Sequence, residues 1–173
     1  MRRAAVAAAA LALAACGTVR EALAPGPQGK PSGRDGWLVY ELRDLRFEAP
    51  ATWRPSGGEA RVALEEPDGK ARVEVTHRSS DFADERACLQ DADERLRQQA
   101  SAFERSRKHA TRFAGHPAQA LEGDQGGWHV WAVAVCDGGV QYRVFFTAAS
   151  PASPQALEAW RTLSESARIG GQA

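Results

Sequence analysis

The chain changes its hydrophobic period three times, and this restricts it to a fold that combines paired strands with packed helices. From Trp37 onward, Leu38, Tyr40 and Leu42 alternate with Val39, Glu41 and Arg43. A period of two sends successive side chains to opposite faces, so this stretch predicts a half-buried strand. Residues 45–50 make a second short strand that stops at Pro50. Residues 61–65 and 71–77 alternate in the same way, with Val62, Leu64, Val73 and Val75 on one face. Between them lies Pro67-Asp68-Gly69, a strong hairpin signal, because proline presets φ and glycine accepts φ > 0.

The period then becomes helical. Leu89, Ala92, Leu96, Ala100 and Phe103 form one apolar stripe, which predicts a helix over residues 84–105. Asp91, Glu94, Arg95 and Gln98 fall on the opposite face. Strands resume at residues 109–114 and 118–122, with a turn at Gly115-His116-Pro117. Two long strands follow, residues 128–136 and 140–149, joined through Asp137-Gly138-Gly139. The first is apolar on both faces, which predicts a central strand covered on both sides. Two-residue and three-residue loops give different registers here, and both stay open. A last helix begins at Ser153-Pro154, with Leu157, Trp160, Leu163 and Ala167 as its stripe and Gly170 as its stop. The order strands, helix, strands, helix defines an α+β class: an antiparallel sheet with helices packed on its faces.

Ahead of this domain the sequence reads as an address. Arg2 and Arg3 precede an apolar run over residues 4–15, too short to span a bilayer, which takes about 20 residues. Leu13-Ala14-Ala15-Cys16 closes the run. This resembles the lipobox of bacterial lipoproteins, which implies export, cleavage before Cys16 and lipid on the Cys16 sulfur. Gly17, rather than Asp, follows that cysteine, so the expected destination is the outer membrane, facing the periplasm. The expected organisation is a signal peptide over residues 1–15, a lipidated Pro/Gly-rich tether over 16–36, one domain over 37–169 and a tail over 170–173.

Without the leader, 20 basic side chains face 22 acidic ones, since two of the 22 basic residues are Arg2 and Arg3. Such a balance offers no broad field for nucleic acid. The expected partners are the membrane, through lipid on Cys16, and an envelope protein, with the chain itself a monomer. Cys88 and Cys136 remain as an even pair in an oxidising compartment. One reading is a disulfide that pins the long helix to a central strand. The other is two separate buried thiols packing as small hydrophobes.

No nucleophile elbow, phosphate loop or dinucleotide fingerprint occurs, so no catalytic residue and no cofactor is expected. His77, His109, His116 and His129 are scattered singly, so no metal site is expected either. Trp128 and Trp131, three apart on a strand, point to opposite faces and cannot share a stacking platform. Most tryptophans therefore read as core, with Trp37 as the candidate exposed contact. Arg105, Arg107, Lys108 and Arg112 form a basic cluster at the predicted helix end, a candidate contact for an anionic surface.

Phe47-Glu48-Ala49-Pro50-Ala51-Thr52-Trp53 resembles the opening strand and "P-x-x-W" of the PsbP-like superfamily. Asp68-Gly69 before an alternating strand and Gly115-His116-Pro117-Ala118 before another are similar marks. That superfamily includes PsbP, the Ran-binding Mog protein and DcrB-like bacterial lipoproteins. The resemblance implies a sheet sandwiched by helices, an accessory or binding role, and no catalytic residues to carry over. The expected function is a lipid-anchored accessory or binding module; the alternatives are a small-ligand or lipid carrier and an envelope hydrolase.

Overall fold

The computed structural model describes residues 26–79 and 81–170. The expected signal peptide, Cys16, residues 17–25 of the expected tether and residues 171–173 of the expected tail lie outside these residues. The elements in chain order are β1 (Lys30–Pro31), β2 (Trp37–Leu42), β3 (Leu45–Pro50), β4 (Arg54–Gly58), β5 (Arg61–Glu65), β6 (Ala71–Ser79), α1 (Glu85–Ala100), β7 (Arg105–Phe113), β8 (His116–Gln125), β9 (Trp128–Asp137), β10 (Val140–Ala149), α2 (Pro154–Ser166) and β11 (Arg168–Ile169). Seven strands make one antiparallel sheet in the order β4-β5-β6-β10-β9-β8-β7, and four make a second in the order β1-β2-β3-β11. The class is the α+β sandwich that the alternating and helical stretches predict.

Alternation decides what each layer buries. Tyr40, Leu42, Leu45, Phe47 and Ala49 of the small sheet meet Val62, Leu64, Val73, Val75, Tyr142, Val144 and Phe146 of the large one. Ala156, Ala159 and Leu163 of α2 complete this main core. On the other face of the large sheet, Ala92 and Leu96 of α1 pack on Leu121, Ala132 and Ala134. β9 sits between the two cores: Val133 and Val135 belong to one, Ala132 and Ala134 to the other. The small side chains of β9 on the α1 side let the helix approach the sheet closely.

The β9–β10 hairpin has the two-residue loop. Asp137 pairs with Val140, and Gly138 and Gly139 both take φ > 0, at 53° and 78°. Two successive left-handed residues are what a tight hairpin of this twist needs, and glycine adopts them freely. The β7–β8 turn is tighter than Gly115-His116-Pro117: it uses Ala114 and Gly115, so His116 and Pro117 already belong to β8.

Three further boundaries differ from the sequence expectation. Lys30–Pro31, inside the expected tether, pairs with Leu38 and Val39. Arg54–Gly58 forms an edge strand against β5 although its sequence shows no apolar alternation. The long helix ends at Ala100, five residues early, because Glu104 N–H donates to the Asp124 carbonyl at 2.9 Å and starts β7. Gly123 permits this path, since a Cβ there would lie 2.2 Å from the Arg105 carbonyl oxygen and 2.9 Å from the Phe103 ring.

Helix ends follow their capping residues. The Asp84 carboxylate accepts from Ala87 N–H at 2.7 Å and caps α1. Ser153 Oγ accepts from Ala156 N–H at 3.0 Å and caps α2, with Pro154 in its first turn. Ser153→Ala removes that acceptor and should cost about 1 kcal/mol in a denaturant melt, whereas Ser153→Asp should hold stability near the wild-type value. The stripe of α2 is rotated from the expected one: Ala156, Ala159 and Leu163 are buried, while Leu157 is exposed.

Candidate functional site

The seven-stranded sheet is covered unequally on its two faces. α1 crosses the β7–β8–β9 half of one face, reaches the adjoining ends of β10 and β6 at Gln141 and Arg78, and leaves the rest of β5, β6 and β10 open. Register sets out the open half in rows. Glu65, Arg72, Thr147 and Val130 stand across the strands in one row; Ala63, Glu74, Phe145 and Ala132 in the next; Arg61, Thr76, Arg143 and Ala134 in the third. Two cavities, of about 400 and 530 Å³, share Arg72, Phe145 and Thr147 and merge into one groove along this surface. Gln99, near the end of α1, forms a side of the first, and Trp128 lines the second.

The groove is lined by Arg72, Arg143, Glu65 and Glu74, and its ion pairs are unevenly shared. Glu74 is held by Arg72 at 2.8 Å and Arg61 at 3.3 Å. Asp91 of α1 is held by Arg95 at 2.9 Å and by Arg78, and Gln141 donates to it at 3.1 Å. Arg143 stands between these groups. Burial pushes its guanidinium pKa below the ordinary arginine value, as do the like charges of Arg95 and Arg78, with Glu74 and Asp91 acting the other way. Among the described residues the Arg143 guanidinium makes no hydrogen bond and no ion pair, while the nearby carboxylates of Glu74 and Asp91 are held by other arginines through one oxygen each.

The Asp91 network also bears on acid stability. Burial works against the Asp91 charge, but hydrogen bonds from Arg95, Gln141 and Arg78 outweigh it and hold the carboxyl below its usual pKa. A group depressed on folding stabilises the folded state above its unfolded pKa, and that contribution is lost as pH falls through the folded value. Asp91→Asn should therefore flatten the fall in stability below pH 3.8, the ordinary aspartate value, in melts read from pH 7 downward.

The sequence candidates are distributed differently. Cys88 and Cys136 form a disulfide with Cα atoms 6.2 Å apart, so the paired reading is the one observed, and it ties the first turn of α1 to the end of β9. Arg105, Arg107, Lys108 and Arg112 do not sit at a helix end as one cluster. They lie on the edge strand β7, whose period of two sends Arg105 and Arg107 to one face and Lys108 and Arg112 to the other. Lys108 pairs with Asp93, Arg107 with Glu122 at 3.5 Å, and Arg112 donates to the Gly115 carbonyl. The helical reading failed because cations complement a helix end and an edge strand equally well.

Trp37 is half-buried beneath Arg34, and Trp128, at 38% exposure, is the exposed tryptophan. Trp131 and Trp160 stack at 5.9 Å, bringing together one ring from β9 and one from α2. His129 lies between Asp124 at 2.8 Å and Glu122 at 3.2 Å. Among the described residues, no group of three or more His, Cys, Asp or Glu side chains is placed to hold a metal ion.

This architecture defines a PsbP-like fold. The cyanobacterial PsbP of Synechocystis superposes with a TM-score of 0.58 at 14% identity, over 83% of this chain and 99% of that one. A protein of Bacteroides thetaiotaomicron gives 0.53 at 8% identity, over 75% of this chain and 46% of that one. The Ran-binding protein Mog1p of Saccharomyces cerevisiae gives 0.51 at 8% identity, over 77% and 95%. No family model matches the sequence, and no curated protein matches it either. At these identities the likeness speaks for the fold alone.

Proposed function

We propose that this protein is a binding module of the bacterial cell envelope, held on the outer membrane by lipid on Cys16 and facing the periplasm, and that the open half of its large sheet receives the ligand. The observation that carries the binding role is the uncovered groove over β5, β6 and β10, about 400 Å³ in its first part and joined to a second of about 530 Å³. The cationic leader, the apolar run and Leu13-Ala14-Ala15-Cys16 support the anchor, and the Cys88–Cys136 disulfide fits an oxidising compartment.

A lipid carrier would need an enclosed apolar cavity, and a hydrolase would need several titratable groups converging on one reacting atom. An open groove lined by arginine, glutamate, threonine, phenylalanine and tryptophan side chains favours binding over both. A photo-crosslinking residue placed at Thr147 should capture a discrete adduct in intact cells, while one at exposed Glu158 on α2 should not. Equal capture at both positions would contradict the assignment of the groove.

A further inference from the structure

The groove carries three separate demands on its occupant. The first is charge. The charged residues lining the groove are Arg72 and Arg143 with Glu65 and Glu74, and of these four Arg143 alone has no ionic partner among the described residues. The half-buried Arg143 guanidinium offers a fork of donors with no acceptor among the described residues, and an oxyanion matches that fork. The second demand is for a donor. Gln99 Oε1 is buried at the side of the same cavity and has no hydrogen-bond partner among the described residues. A buried acceptor left unpaired is costly, and a hydroxyl would satisfy it. The third is a flat apolar contact: the Phe145 ring stands next to Arg143 along one face of β10, and Trp128 lines the far end of the groove.

From this juxtaposition we infer that the groove binds an acidic saccharide, with its carboxylate or phosphate on Arg143, a hydroxyl donating to Gln99 Oε1, and the C–H face of a sugar ring on Phe145. A free inorganic anion would meet only the first demand. An apolar lipid chain would meet only the third. This inference rests on the groove being the binding surface, which the crosslinking comparison tests separately.

The test uses the full lipidated chain in detergent and four probes: an oligoglucuronate tetrasaccharide, glucose 6-phosphate, neutral cellotetraose and inorganic phosphate. Calorimetric titration should show the acidic tetrasaccharide binding at least about tenfold more tightly than cellotetraose, as a charge-assisted bidentate contact requires. Glucose 6-phosphate should bind at least about tenfold more tightly than inorganic phosphate. If the two acidic sugars differ, the tighter one identifies the oxyanion. Arg143→Met should abolish the preference for the acidic over the neutral tetrasaccharide. Gln99→Leu, at the helix edge, should weaken every sugar but leave inorganic phosphate unchanged, and near-UV circular dichroism confirms folding of each variant. Equal affinity for acidic and neutral tetrasaccharides, equal affinity for glucose 6-phosphate and inorganic phosphate, or unchanged binding in folded Arg143→Met would each overturn the inference. Adducts from Thr147 without saccharide binding would overturn the ligand class and leave the groove assigned.

Discussion

Replacing both Cys88 and Cys136 by alanine should lower the stability of the domain by about 4 kcal/mol. The bridge joins residues 48 apart in sequence, and closing a loop of that length removes about this much conformational freedom from the unfolded chain. For a domain of this size the loss corresponds to a fall of roughly 10–15 °C in Tm. The native state has a second reason to depend on the bridge. α1 buries only Cys88, Ala92 and Leu96 fully, and two of these are small, so its apolar contact with the sheet is thin. Hydrogen exchange of the double alanine variant should therefore speed up first in α1 and the β8–β9 surface beneath it. A drop below about 1 kcal/mol, with α1 protected as before, would show that packing alone holds the helix.

Phe146→Ala should cost about 3–5 kcal/mol, the range for removing a large buried aromatic side chain. The ring is fully buried where β10 meets α2, with Trp53, Trp131 and Trp160 centred 5.9, 5.7 and 5.6 Å away. Small-side-chain neighbours could close around the cavity, but three indole rings cannot turn to fill it without leaving their own contacts. Phe146→Leu keeps most of the volume and should cost only about 1–1.5 kcal/mol. Urea unfolding followed by tryptophan emission reads both variants, because the affected fluorophores line the cavity. A loss near 1 kcal/mol for Phe146→Ala would mean that this aromatic cluster repacks freely.

Much of the fold was legible in the residues. Alternation in β2, β3, β5, β6 and β10 is a direct record of which face is buried, the two apolar faces of β9 mark it as central, and the cap Ser153 marks the start of α2. What escaped notice was structure imposed by neighbours. β4 contains proline and two glycines and is a strand because β5 offers it an edge. The end of α1 is set by Gly123 accepting the Phe103 ring and the Arg105 backbone, contacts distant in sequence that no local pattern announces.

The candidate groove was harder still to foresee. Arg72, Glu74, Thr76, Arg143 and Thr147 each look like ordinary solvent-facing positions on amphipathic strands. They become a site because α1 touches β10 only at its start, at Gln141, and leaves Arg143, Phe145 and Thr147 on the uncovered part of the sheet. That Arg143 has no acidic residue opposite it, with Thr76 and Ala134 as its cross-strand neighbours, follows from a register that the sequence leaves open. The Trp131–Trp160 stack was hidden for a similar reason, since strand periodicity compares Trp131 with Trp128 and cannot see a ring arriving from α2.

The role proposed for this groove depends on the domain standing outside the cytosol on a lipid anchor. Intact-mass and fragment analysis of the protein extracted from membranes addresses this at a single residue. Cys16 should be the first residue, carrying a diacylglyceryl thioether, with residues 1–15 gone. An unprocessed chain beginning at Met1, or a Cys16 found with a free thiol in the soluble fraction, would contradict the account.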